Sequence, residues 1–455
     1  MSSPRGDLER HDELLTGWGR TMPVRAEVVR ARDIDDVVAA IAGAGPRGIL
    51  VRGAGRAYGD AAQNAGGTVL DLAALDDVVL HGDCDVEAGA GVLLSTLVPL
   101  LLDRGRFLPV TPGTRFVTVG GALAADVHGK NHHVDGSFGD HVRWLDVVTG
   151  DGAVRRVVPD GHGVEGRLFD ATLGGMGLTG AVVRARFATL PAPSPAVRVD
   201  TVRCADLDSL MERMVAADAT HRYSVAWVDG TARGAALGRG VLTRGDHAED
   251  SASARSLAPS AARSPWPGPP MPFGVLNRAS VRAFNEMWFR RAPRARYDEL
   301  QTIAEFFYPL DSVGGWNRLY GPRGFLQYQF AVPDEGADVV RSALERFAAA
   351  RAPSFLSVLK RFGPGRAASP LSFPMEGWTL ALDLPTSVPG LAALLDGLDE
   401  LVLSADGRIY LAKDSRAAPR TVAAGYPGLA AFSSLRDEVD PRRVFTSDLS
   451  RRLQL

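Results

Sequence analysis

Two glycine-rich segments, Val51-Arg-Gly-Ala-Gly-Arg-Ala-Tyr-Gly-Asp60 and Pro112-Gly-Thr-Arg-Phe-Val-Thr-Val-Gly-Gly-Ala122, most constrain what this 455-residue chain can become. Glycine at that density bares the backbone, and successive open N–H groups cradle an anion without any side-chain charge. Either segment alone reads as a tight turn between strands. Their joint occurrence, roughly 60 residues apart, points to one phosphate-bearing ligand held from two sides.

Two other stretches, Gly43-Ala-Gly-Pro-Arg-Gly48 and Gly175-Met-Gly-Leu-Thr-Gly180, match G-x-G-x-x-G. A dinucleotide fingerprint leaves a strand and opens a helix, which places pyrophosphate on the helix N-terminus. Both stretches instead follow a helical pattern and enter an apolar strand. They read as helix C-terminal turns, and this reversed order speaks against a nicotinamide dehydrogenase.

The flanking pattern is α/β. Asp33 starts a helix with Ile34, Val37, Val38 and Ile41 on one side, and strands are expected at 48–52, 68–72, 85–88, 142–149 and 181–188, with a helix at 92–103. Leu190-Pro-Ala-Pro-Ser-Pro195 breaks the pattern and marks a domain boundary. Beyond it, strands at 223–229, 325–332, 355–362 and 378–384 alternate with helices at 205–217, 335–350 and 390–403, an α+β layer. Residues 244–272, rich in Ala, Ser and Pro, read as a long irregular connection, either a lid or plain disorder.

Charge and composition narrow the partners. Lys plus Arg number 51 against 53 Asp plus Glu, so nothing advertises nucleic acid and an acidic ligand must be met locally. Cys84 and Cys204 are the whole cysteine complement, too few for a disulfide framework or a Cys-rich zinc site. Met1–Leu15 is charged and lacks a secretory apolar core, and the most apolar stretch, Gly91–Leu102, falls well short of a span. Cytoplasmic retention is the default expectation, with peripheral membrane contact and association with the cell envelope or periplasm left open.

Strand parity adds a second wall. Gln327 and Gln329 share one face of their strand, Lys360 shares a face with Leu356 and Val358, and Thr379, Ala381 and Asp383 share another. Such polar faces line a pocket or face solvent.

These segments resemble flavoproteins of the vanillyl-alcohol oxidase type, which carry a PCMH-type FAD domain, and within them the branch that oxidises prenylphosphoryl ribose. The resemblance rests on Leu15-Thr-Gly-Trp-Gly-Arg-Thr21, Arg52–Asp60, Gly113–Gly121 and His128-Gly-Lys-Asn-His-His133. It continues in Trp316-Asn-Arg-Leu-Tyr-Gly-Pro322, Gly324-Phe-Leu-Gln-Tyr-Gln-Phe330, Lys413-Asp-Ser-Arg416 and Val439–Leu449, and spans nearly the whole chain. It implies a two-domain α+β flavoprotein, with an FAD domain at 1–192 resuming at 408–455. A substrate domain, an antiparallel sheet flanked by helices, is inserted at 193–407, with a mobile loop at about 244–272.

The chemistry implied is oxidation of a ribofuranose 2′-hydroxyl to a ketone, with hydride passing to FAD. A separate NAD-dependent reductase would complete the epimerisation of ribose to arabinose, the donor for cell-wall arabinan. Arg56 stands where many relatives carry a histidine bonded to flavin, so FAD is expected to be non-covalent. The resemblance places cofactor contacts on Arg52, Gly53, Ala54, Gly55, Arg56, Ala57, Tyr58, Gly113, Thr114, Thr118, Gly120, Gly121, His128, Gly129, Asn131, His132 and Lys413. Substrate contacts fall on Lys130, Trp227, Gln327, Gln329, Lys360, Thr379 and Ala381, with Lys360 meeting the phosphate and the glutamines the sugar. Lys413 carries the charge role beside the flavin, and His128 and Tyr58 are candidates for the proton.

His128 and His132 have the i, i+4 spacing of a zinc helix, but no Glu follows His128 and Gly129 weakens a helix, so no metal is expected. Ala381 stands where relatives carry a cysteine, Thr379 where they carry an asparagine, and Phe307-Tyr308 where they carry Tyr-His. An inhibitor needing that thiol loses its anchor. The rival readings are another FAD oxidase, acting on an aldonolactone, alditol or other sugar, and a non-enzymatic lipid-phosphate binder. Lactone oxidases usually carry His-Trp-x-Lys near the end, where this chain has Tyr410-Leu-Ala-Lys413.

Overall fold

The computed structural model describes residues 8–82, 84–249 and 276–455. The N-terminal part forms two small sheets. In the first, Arg10–Leu15 pairs antiparallel with Val24–Arg30, and Thr68–Asp71 lies parallel between Val24–Arg30 and Ile49–Arg52. The crossover to Ile49–Arg52 is the helix Ile34–Ala42, started by Asp33, whose side chain accepts from the Asp36 amide at 2.9 Å. Val37, Ala40 and Ile41 are its buried stripe.

The second sheet is antiparallel, in the order Val78–Leu80, Asp85–Gly89, Ala181–Ala188, Val142–Val148, Val154–Val157. Against it packs a six-residue helix, Val119–Ala124, opened by Thr118, whose hydroxyl accepts from the Gly121 amide at 3.1 Å. This cap aims the second glycine segment at the first.

The chain leaves these sheets after Leu190–Pro191 and enters a third at Ala196. That sheet runs Ala295–Thr302, Ala196–Cys204, Gly240–His247, Tyr223–Val228, Ser357–Phe362, Gly377–Pro385, Phe325–Val332, Arg408–Ile409, antiparallel throughout. Helices Leu207–Asp218, Asp338–Ala349 and Leu391–Ser404 supply buried leucines, valines and aromatics to one of its faces. The other face looks toward the glycine segments.

Two expectations need correction. Arg244–His247 belong to a strand, because they continue the ladder opposite Val197–Asp200 that Gly240 begins; the remainder of the lid expectation, from 250 onward, lies outside the described residues. The sequence before Lys413 reads as a strand over Gly407–Ala412, but the strand stops at Ile409, since Tyr410 already turns, its amide donating to Gln329 O at 2.9 Å.

The C-terminus returns to the first sheet. Ile49 donates to Val444 O at 2.7 Å and Thr446 to Ile49 O at 2.9 Å. Arg452 then grips Asp60 through two bonds of 2.8 Å and reaches Asp414 at 2.9 Å, tying the end of the first glycine segment to the residue after Lys413. No helix among the described residues is long and apolar enough to cross a membrane.

Candidate active site

Both G-x-G-x-x-G stretches occupy the helix-to-strand turns that the sequence order implies, before Ile49 and before Ala181, and offer no helix N-terminus to a phosphate. The other two glycine segments converge. A Cβ on Gly53 would stand 2.2 Å from Thr118 Oγ1, so only glycine lets the segments touch there. Gly55 has φ +61°, and the amides of Gly53, Ala54, Gly55 and Arg56 hydrogen-bond to no group among the described residues. Four open donors beside a capped helix start fit a pyrophosphate.

These amides open into a cavity of about 1390 Å³, larger than a single drug-sized ligand requires. Arg52–Tyr58, Gly113, Thr114, Thr118, Gly120, Gly121, His128 and Gly129 line the nucleotide side. Trp227, Gln327, Gln329, Val358, Lys360, Thr379 and Ala381 line the sheet side, and Lys130 and Lys413 border both. The register explains this wall: Gln329 sits opposite Ala381, Val358 opposite Ala381 and Trp227, and Lys360 opposite Thr379. Alternate residues of adjacent strands share one face.

Some expected contacts are made differently. The Arg52 guanidinium is spent on Ala62 O and Thr16 O, so it braces the loop rather than facing a ligand. Arg56 stacks on Trp18 at 4.1 Å. Asn131 and His132 stand behind the cavity wall and do not line it. Asn131 donates to Pro109 O at 2.8 Å and to Asp135, while His132 packs on Phe362 at 4.5 Å and lies near Ser137 Oγ at 3.3 Å. His128 is not on a helix with His132, because it pairs with Ser137 in a bridge and the helix begins at His132. The Trp227 indole N–H is satisfied by Phe355 O at 2.9 Å, leaving its ring to the cavity.

A polar chain crosses the sheet wall. Thr379 donates to Phe330 O at 2.8 Å and so accepts from Gln329 Nε2 at 3.2 Å; that amide also lies 3.0 Å from His128 Nε2. Lys360 Nζ lies 3.3 Å from Nδ1. Gln329 Nε2 and a charged Lys360 Nζ are both donors, so a neutral imidazole, with one lone pair, accepts from one of them at a time. Burial, then the Lys360 charge, hold His128 well below the ordinary histidine range, so the ring is neutral.

Three lysines share this space. Burial lowers Lys130 to about 7, with Lys360 adding repulsion, and lowers Lys360 to about 8. Lys130 Nζ is also held by Phe306 O and lies over the Phe306 ring. Lys413 Nζ sits over the Tyr58 ring, and burial lowers its pKa while Asp383 opposes the shift. Asp383 is the member that sequence reasoning missed. Parity put it on the right strand face, but not that it is wholly buried, accepts from Gln327 Nε2 at 2.5 Å and has its second oxygen unpartnered. Three lysines lowered this far in one cavity mark a functional site, and an anion beside them would favour their charged forms.

Residues 26–157 match a sequence family described as FAD binding domain. The chain is 40% identical over 452 residues to a decaprenylphosphoryl-beta-D-ribose oxidase of Mycolicibacterium smegmatis, covering 97% of each chain. It is 43% identical over 378 residues to a Streptomyces coelicolor protein named for the mprA 5′ region, covering 80% of this chain and all of that one. More distantly, 233 residues are 33% identical to cytokinin dehydrogenase 1 of Oryza sativa subsp. japonica, 48% of this chain and 43% of that one. With the open amides, the touching loops and near full-length similarity together, the chain is an FAD-dependent oxidoreductase belonging to the decaprenylphosphoryl-beta-D-ribose oxidase family.

Proposed function

We propose that the protein oxidises the 2′-hydroxyl of a polyprenylphosphoryl ribofuranose to the 2′-ketone, the first half of an epimerisation that a separate NAD-dependent reductase completes. The observation that carries this reading is the trio Lys130, Lys360 and Lys413 in one cavity, with the amide-lined loops on one side and a glutamine-rich sheet on the other. Two anionic groups are served: the nucleotide pyrophosphate by the loops, the substrate phosphate by lysine. In this reading residues 1–192 and 408–455 form the nucleotide unit and 193–407 the substrate unit, with the short strand Arg408–Ile409 reaching across into the substrate sheet.

FAD, when bound, supplies the acceptor for the hydride lost from C2′. The amides of Gly53–Arg56, with Gly113, Thr114 and Thr118, would hold its pyrophosphate, and Lys413 its ring end. With Arg56 committed to Trp18 and no histidine in that loop, attachment is non-covalent. Gln327 and Gln329 orient the sugar hydroxyls. Of the two proton candidates, His128 offers a neutral imidazole, while burial pushes the Tyr58 phenol well above its ordinary value and keeps it protonated; the substrate phosphate on Lys360 would offset the charge that otherwise opposes proton uptake by His128. The sugar hydroxyl would replace the Gln329 amide at Nε2 and leave its proton there.

The test is anaerobic mixing of the FAD-loaded enzyme with prenylphosphoryl ribose, followed by flavin absorbance. Bleaching by that substrate, and not by free ribose, aldonolactones or alditols, is the expected result. Equal bleaching by lactones or alditols overturns the substrate assignment.

A further inference from the structure

The helix Arg278–Arg291 leaves much of its apolar surface outside. Its buried face carries Val281 and Asn285, the latter wholly buried and donating to Asp229 Oδ1 at 2.8 Å and to Ser354 O at 3.1 Å. Its open face carries Phe284, Met287 and Trp288, exposed by 37%, 54% and 43%, and Tyr297 on the next strand is 58% exposed. Positions 280, 284, 287, 288 and 291 fall on one helical stripe, ending in Arg291. Apolar groups turned outward beside a polar anchor mark a contact surface.

Charge identifies what it contacts. Residues 278–297 hold six arginines and one carboxylate, Glu286, in a chain whose net charge is −2; of the Asp298 and Glu299 that follow, Glu299 pairs with Arg296 and Asp298 with Arg198 from outside the stretch, which leaves a net positive patch. Glu286 is itself engaged by Arg239 and Arg290. Aromatic and thioether groups flanked by arginine are the composition of a helix that lies in a bilayer interface over anionic headgroups. Placement agrees, since Leu276, Ser280, Phe284, Trp288 and Arg291 also line the cavity, so the stripe runs without a break from solvent to the site.

We infer that this stripe rests on an anionic lipid surface and passes the prenyl chain of the substrate from bilayer to cavity. The prenyl part of the inference rests on the function proposed above; the docking part rests only on the stripe and its charge.

The experiment sediments the full-length FAD-loaded enzyme with vesicles of phosphatidylcholine alone and of phosphatidylcholine with about a third phosphatidylglycerol. Met287→Glu and Arg294→Glu alter exposed residues that do not line the cavity. Expected are binding to the anionic vesicles alone, weakened by salt, and a loss of about tenfold or more in each variant. Both variants should bleach normally with a short-chain, water-soluble prenylphosphoryl ribose. Met287→Leu should bind as the parent does. Unchanged binding in both charge variants overturns the inference. So does an enzyme that bleaches normally yet ignores anionic vesicles, which would leave the stripe to a protein partner. An enzyme that binds vesicles through the stripe but is not bleached by the short substrate upholds docking and refutes the proposed function instead.

Discussion

Lys413 holds its ammonium 3.8 Å from the centre of the Tyr58 ring, and the two are fixed relative to each other through the backbone, where the Tyr58 amide donates to Ala412 O at 3.0 Å. Burial lowers Lys413 to about 7, so its charge is held by the Tyr58 face, by Asp383 and by any anion it meets, and there it acts with little solvent screening. Lys413→Ala should therefore slow anaerobic flavin bleaching by about 100-fold or more, the scale of removing one preorganised electrostatic group. Lys413→Arg should recover only part of it, because the wider guanidinium does not fit a point-charge position. Bleaching at the parent rate in the alanine variant would remove Lys413 from the chemistry.

Asp383 supports that charge from behind. It accepts from Gln327 and faces Lys413 electrostatically, and its field opposes the loss of the lysine proton that burial favours. Asp383→Asn removes the field while conserving shape, so Lys413 should lose its proton at lower pH. If turnover needs the protonated lysine, the alkaline limb of the rate profile moves to lower pH in the variant. A limb that stays in place would show that Asp383 only holds Gln327.

How much of this was legible in sequence depends on the range of the interaction. The glycine segments, the reversed G-x-G-x-x-G order and the faces shared by Gln327 with Gln329 and by Thr379 with Ala381 follow from local periodicity, and the structure shows each of them. Asn131 and His132 were drawn into the cofactor set by their neighbours in a motif; a turn between His128 and the helix at His132 sends them behind the wall. The Arg452 grip on Asp60, hundreds of positions away, and on Asp414, and the burial of Asp383 within the third sheet, are non-local, and no local pattern encodes them. The strand through His247 was hidden because Arg244, Asp246 and His247 are polar in a ladder that other strands specify.

Lys130 and Lys360, lowered by burial to about 7 and about 8, predict a proton balance. In the free protein near pH 8.5 both are largely neutral, while the unfolded chain keeps them charged up to about 10.5. Native-state stability should consequently rise with pH across that window, because the unfolded state binds more protons. An anion in the cavity favours the charged forms, so its binding takes protons up. Calorimetric titration of the FAD-loaded enzyme with a prenyl phosphate, in buffers of different ionisation enthalpy, should show uptake of about one to two protons at pH 8.5 and almost none at pH 6. Lys360→Met should cut the uptake. Heats independent of buffer would mean the anion binds elsewhere.

Ala381 faces the cavity between Gln329 and Val358. Ala381→Cys should leave bleaching within about threefold of the parent, since a thiol adds little volume at a half-open position. A small thiol-directed electrophile should then abolish activity of the variant and spare the parent, whose own cysteines are the exposed Cys84 and the buried Cys204, neither of which lines the cavity. Loss of activity in both proteins would place a reactive group other than residue 381 in the site.

Two glycine substitutions separate the nucleotide loops from their look-alikes. A Cβ on Gly53 meets Thr118 Oγ1 at 2.2 Å, and that hydroxyl caps the Val119–Ala124 helix, so neither partner can yield without parting the loops. Gly53→Ala should be purified with at least about tenfold less flavin, read from the ratio of visible to 280 nm absorbance, while its circular dichroism stays that of the parent. Gly45, inside the first G-x-G-x-x-G stretch, has nothing within 4 Å of the added carbon. Gly45→Ala should keep its full yellow colour, because that turn serves only to lead a helix into a strand. Flavin lost from Gly45→Ala and retained by Gly53→Ala would exchange the roles of the two motifs and return the chain to a dinucleotide fold of the other kind.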